Sequence, residues 1–263
     1  MLREIKNELG FDLIELGHGI RVSLMPGIQK VFDAGEVRFS SLHNFCPLPI
    51  EVMMASPDCY QFSAVSSEER ERAVKQTLQT IDFAVRLNAP FVVLHLGQVN
   101  MPPITDRLIN MAKTGAYLSR KYVRLKIEAV QKREKIAPAY LQRVKDCLGR
   151  IIEHAASKNV RLALEGRRGY EEIPTERELP ALLDELNSGQ IGYWHDFGHS
   201  QIKENLGFID TPNGWARSVR ARLAAMYRTA FGLRKITRRP LPGMWNFKNL
   251  FRSFPQTAYL SGR

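Results

Sequence analysis

Five short apolar runs alternate with longer amphipathic or charged stretches along the first 210 residues. The runs at 11–16 (FDLIEL), 37–42 (VRFSSL), 89–96 (APFVVLHL), 160–165 and 191–196 have the length and composition of buried strands. Residues 1–9, 28–33 and 68–88 predict helices, the last capped by Ser66 or Ser67 and carrying Glu69 and Glu71 in its first turns. The stretch 101–158 predicts a basic helix pair, 118–133 and 139–157, whose charged side reads as a solvated outer face. Its second member carries Leu141, Val144, Leu148, Ile151 and Ile152 at helical spacing. Another helix is expected over 180–186. Alternating helices and strands imply a parallel sheet with right-handed crossovers.

The strands share a second feature. His43, His95, Glu165 and Asp196 each stand at the end of a successive run, and His199 follows Asp196 by three residues. In α/β barrels the chemistry sits at the C-terminal strand ends. A Glu, an Asp and a His converging on one point suit a divalent metal. No run is followed by a Gly-rich phosphate fingerprint, so a dinucleotide-binding open sheet has little support. Polar residues at the same end of four neighbouring strands suit a barrel mouth better. At 263 residues the chain has the length of one (β/α)8 barrel, typically ~250 residues, and reads as a single domain, 1–263.

Charge changes the picture only at the end of the chain. The net charge is +11, but residues 1–210 hold 27 basic and 27 acidic residues, whereas 211–263 hold 11 basic and no acidic ones. The body is therefore neutral, which makes nucleic acid an unfavoured partner; a basic tail could still act as a phosphate-binding arm. No apolar run approaches a membrane span, and the N-terminus does not read as a signal peptide. Three cysteines without metal-type spacing (Cys46, Cys59, Cys147) fit a reducing, cytoplasmic setting.

Each candidate also has a purely structural reading. Glu165 could pair with Arg167 or Arg168, Asp196 could cap the following helix, His199 could lie on the surface, and His43 and His95 could be core histidines. Strand alternation points His195 away from the mouth. His18, in a loop before Gly19, is a candidate substrate contact. His154 reads as a surface residue, and Trp215 and Trp245 as tail packing.

The segments FDLIELGHG (11–19), SSLHNFCPLP (40–49), FVVLHLG (91–97), LALEGRRGYEEIP (162–174) and WHDFGHSQ (194–201) resemble, in this order, the xylose-isomerase-like TIM barrels. That superfamily includes sugar-phosphate isomerases and epimerases and the endonuclease IV enzymes. The resemblance implies a divalent metal (Mn, Mg, Co or Zn) held by Glu165, Asp196 and His199. It also implies a substrate pocket including His43, His95, His199, Arg167 and Glu171, the last position being shared with Glu172 as an alternative. It assigns catalytic proton transfer next to a carbonyl to Glu165, on a small sugar. The endonuclease-like alternative, a phosphodiesterase on damaged DNA, uses the two strand-end histidines as ligands.

The chain also departs from the family pattern. A first strand is missing, residues 211–237 lack the His and Asp of a seventh strand, and no Glu closes an eighth, so an incomplete barrel is expected. RPLPGMWNFKNLF (239–251) again looks like the family, leaving 211–238 atypical and basic. Compensating frameshifts would account for this. Reading 225–237 one nucleotide earlier, with synonymous codons, permits HVSDCVWPAEDH, which carries the expected His, Asp and Asp-His. Weak metal binding, a degenerate or non-catalytic copy, and dimerisation through unpaired edge strands are the corresponding expectations.

Overall fold

The computed structural model describes residues 1–11 and 13–209. Five strands, β1 (Leu13–Leu16), β2 (Arg38–His43), β3 (Phe91–Leu94), β4 (Arg161–Glu165) and β5 (Ile191–Trp194), form one sheet in the order β1-β2-β3-β4-β5. Every neighbouring pair is parallel. All five coincide with predicted runs. The expected seventh and eighth strands, the 211–238 tail, Trp215 and Trp245 lie outside the described residues.

The helices are α1 (Leu2–Asn7), α2 (Met25–Asp33), α3 (Ser67–Arg86), α4 (Ile104–Lys113), α5 (Arg120–Ser157), α6 (Glu178–Leu186) and α7 (Phe197–Asn205). Ser66 caps α3 by accepting from the Glu69 N–H, as its sequence suggests. The expected helix pair over 118–157 is instead one helix of 38 residues that runs through Pro138. Proline removes one intrahelical bond and crowds the turn before it, at a cost of ~3 kcal/mol. Packing outweighs that local cost: Ala137, Val144, Leu148 and Ile151 are all buried. In addition, Arg133 reaches across to Glu178 and to the Glu172 carbonyl.

Period-two alternation sorts the strand side chains into two layers. Val92, Leu94, Leu162, Leu164, Ile191 and Tyr193 join the main core between sheet and helices. Phe91, Val93 and Ala163, with Trp194 packed on them, form a separate cluster on the opposite, inner face. His95 continues the parity of Phe91 and Val93, Glu165 that of Ala163, and Asp196 that of Trp194, so all three follow the inner face to its C-terminal end. A smaller core of Ile104, Leu108, Tyr122, Ala129 and Leu206 ties α4 and α5 to the end of α7.

Candidate metal centre

Glu165 ends β4 and is 5% exposed. Its two oxygens face different partners. Oε2 lies 2.8 Å from His95 Nε2 and 3.3 Å from His43 Nε2, and the two imidazole nitrogens are 3.1 Å apart. Oε1 lies 3.3 Å from His199 Nδ1, which is itself 3.6 Å from Asp196 Oδ2. Two three-residue sets could therefore hold a metal, His43–His95–Glu165 and Glu165–Asp196–His199, with Glu165 common to both.

The first set fits a cation on physical grounds. Zinc bonds of ~2.0–2.1 Å in a tetrahedron place ligand atoms ~3.3–3.4 Å apart. The His43–Glu165 separation of 3.3 Å matches that edge, and the other two, 3.1 Å and 2.8 Å, are shorter, so the three atoms would spread by a few tenths of an ångström around an ion. Each histidine also turns its other nitrogen to a carboxylate: His95 Nδ1 is 3.2 Å from Asp58 Oδ2, and His43 Nδ1 is 3.5 Å from Glu15 Oε1. A carboxylate behind an imidazole orients the ring and frees the opposite nitrogen for a metal.

The second set is shaped by the start of α7. Asp196 caps that helix, its Oδ1 accepting from the His199 N–H at 2.7 Å. The structural reading of Asp196 as a cap is thus realised, yet Oδ2 stays beside His199. His199 Nδ1 lies 2.9 Å from the Gly166 carbonyl. A carbonyl accepts only from a protonated nitrogen, so in this arrangement Nδ1 has no lone pair for an ion, the neutral ring's acceptor is Nε2, and His199 would have to give up the Gly166 bond to join the second set through Nδ1. Burial lowers the His199 pKa, but hydrogen bonds to Glu165 and Gly166 and the charges of Asp196 and Glu165 outweigh it and raise the pKa above its ordinary value.

The other candidates separate. Arg167, 5% exposed, grips Asp58 at 2.7 Å and also Glu172, so it supports His95 through Asp58. Glu171 faces α4, accepting from the Thr105 hydroxyl at 2.7 Å. Of the two glutamates, Glu172 is the one linked to the cluster through Arg167. His18 lies beside His43, with ring centroids 5.5 Å apart, and burial followed by repulsion from His43 lowers its pKa. His195 turns the other way, onto the Tyr193 hydroxyl at 2.9 Å. His154 is not a free surface residue: it joins α5 to Asp82 of α3 at 2.9 Å.

Glu15 and Asp58 were not anticipated. Glu15 carried a signal, being a carboxylate within an apolar strand. The β1–β2 register slips between Ile14 and Glu15, which sets Glu15 opposite Ser41, whose hydroxyl donates to it at 2.5 Å. Asp58 lies in the irregular 44–66 segment and carried none. Gly97, three residues past the end of β3, has φ +96°, and a Cβ there would sit 2.4 Å from the Ser63 hydroxyl. The close approach of this segment to the strand end therefore depends on glycine.

Sequential parallel strands whose C-terminal ends gather histidines and carboxylates define an α/β protein with candidate metal sites. The chain belongs to the Xylose isomerase-like TIM barrel family, whose profile matches residues 4–259. Among solved structures, a 3-keto-D-glucoside 4-epimerase from E. coli is similar at TM-score 0.60 and 14% identity, over 95% of this chain and 79% of that one. A D-psicose 3-epimerase from Clostridium cellulolyticum, solved with D-tagatose, is similar at TM-score 0.53 and 11% identity, over 84% of this chain and 63% of that one. A D-tagatose 3-epimerase-like protein gives TM-score 0.51 and 16% identity, over 80% of this chain. This chain spans 63% of that protein's length, under two thirds. Such identities show a shared fold. No curated protein sequence matches the chain. Among the described residues no helix is long and apolar enough to cross a membrane.

Proposed function

We propose that this chain is a metal-dependent sugar isomerase or epimerase that moves a proton next to a carbonyl. The observation that carries this reading is the position of Glu165, a buried carboxylate shared by two ligand sets at the barrel mouth. Glu165 and Asp196, with the histidines beside them, would hold a divalent ion, which when bound supplies polarisation of a substrate carbonyl. Glu165 takes the proton from the adjacent carbon; its return to the neighbouring carbon completes an isomerisation, whereas an epimerisation needs a second acid on the opposite face to return it to the same carbon. His199, fixed by the Gly166 carbonyl, presents Nε2 to a substrate hydroxyl. His43 and His95 face the same oxygen of Glu165 and complete the ligand set on that side, which His18 borders.

Two ligands that the family resemblance leads us to expect, a His and a Glu on the seventh and eighth strands, have no acidic or histidine counterpart in 211–263. A chain without those two groups would bind the ion weakly and turn over slowly. One observation favours a second reading. The His43–His95–Glu165 set is a metal-competent trio in its own right, as a multi-metal phosphodiesterase acting on damaged DNA would need. The neutral charge of residues 1–210 opposes it.

The test is to supply Mn, Co, Mg or Zn to the full chain. Ketohexoses and aldoses in deuterated water are followed for carbon-bound deuterium and for epimers, and DNA with an abasic site is followed for cleavage. Deuterium incorporation lost in Glu165→Gln supports the sugar reading. Metal-dependent DNA cleavage, weakening steeply with salt, replaces it with the second.

A further inference from the structure

Asp58 sits in the 44–66 segment, with its backbone N–H held by the Ser56 hydroxyl at 3.1 Å. One oxygen, Oδ2, contacts two residues from different parts of the mouth: His95 Nδ1 at 3.2 Å and Arg167 Nη2 at 2.7 Å. Arg167 is in turn held by Glu172. Asp58 therefore connects the segment after β2, the end of β3 and the loop after β4.

The chemistry at His95 gives this contact a function. His95 Nε2 faces Glu165 Oε2 at 2.8 Å. A carboxylate at that distance favours the tautomer with hydrogen on Nε2, and a protonated Nε2 has no lone pair for a metal. Asp58 opposes that preference. It draws the ring proton to Nδ1 and leaves the Nε2 lone pair on the side of His43 and Glu165.

We propose that Asp58 is a positioning residue that sets His95 as a metal ligand, and that Arg167 and Glu172 hold Asp58 for that task. This rests on the reading of Glu165 and its neighbours as a metal site, and assigns new roles to Asp58, Arg167 and Glu172. Arg167 thereby acts through Asp58, with its charge offset by two carboxylates.

The test is zinc affinity of the full chain, measured by equilibrium competition with a chromophoric chelator, alongside thermal unfolding. Asp58→Ala weakens zinc binding about 10–100-fold, the range for loss of a carboxylate behind a ligating histidine. Asp58→Asn, which keeps the volume and one acceptor, gives a smaller loss and carries the test if the alanine variant does not fold. The decisive comparison is a double-mutant cycle. In a His95→Ala background, Asp58→Ala causes no further loss, because its effect passes through the His95 ring. Wild-type affinity in both Asp58 variants, or losses that multiply in the double variant, would overturn the proposal. Glu165→Gln separates the levels. Unchanged zinc binding in that variant removes the site reading and this proposal together. Loss there with no effect at Asp58 removes the proposal alone.

Discussion

Glu165 Oε2 stands 2.8 Å from His95 Nε2, joining the end of β4 to the residue just after β3. Because the other oxygen of the same carboxylate faces His199, both candidate metal sets depend on one side chain. Glu165→Gln keeps the shape and removes the charge. It should reduce metal affinity by more than about 100-fold, beyond the effect of altering a carboxylate behind a ligand. Metal titration of the two proteins checks this, and equal affinities would remove Glu165 as a ligand.

Gly166 follows Glu165 and packs against Tyr193. A Cβ at this position would lie 2.4 Å from the Tyr193 hydroxyl oxygen and 3.1 Å from its ring carbon. Gly166→Ala should therefore destabilise the fold by about 1–3 kcal/mol through overpacking. Adding Tyr193→Phe removes the nearest atom and should recover part of the loss. Denaturant unfolding of the single and double variants tests this, and additive losses would count against the steric account.

The same tyrosine bonds to His195, whose pKa is lowered to about 4 by burial and then by repulsion from Lys203. A histidine depressed from its ordinary 6.5 binds more protons in the unfolded chain. The folded state is thus favoured above that value and loses this stability as pH falls from 6.5 through 4. The loss amounts to at most about 3 kcal/mol. His195→Gln should flatten the acid side of the stability profile in that window. A variant profile parallel to wild type would refute the assignment.

The codons for 225–237 offer a separate test of the metal site. A chain carrying HVSDCVWPAEDH there, the string permitted in the neighbouring frame, regains a His and acidic groups that this sequence lacks after position 210. Metal affinity should rise at least about tenfold over the present chain, each added ligand contributing bond energy to the ion. Sequencing the gene in both frames complements the titration. Stop codons in the shifted frame would assign the basic tail to the protein as it stands.

Much of the site was legible because it rests on repeating patterns. The five apolar runs specify strands, period-two alternation places Glu165 and His95 on one face and Tyr193 and His195 on the other, and Asp196 stands where a helix cap belongs. The continuous α5 was less legible. Pro138 is a local stop signal, and only packing on α3 and β4 with the Arg133–Glu178 pair overrides it.

By itself, then, the sequence determined the alternating parallel α/β order and which strand ends carry ligating groups, since both follow from backbone periodicity and side-chain chemistry along one strand. Tertiary structure alone decided which carboxylates stand behind those groups. Asp58 meets Arg167 across 109 positions, and Glu15 meets Ser41 across 26 through a register slip. Glu171, beside Glu172 in the chain, turns instead to α4. Such choices depend on loop paths and on the low polarity of a buried site, where each charge is held by whichever partner the fold brings within reach.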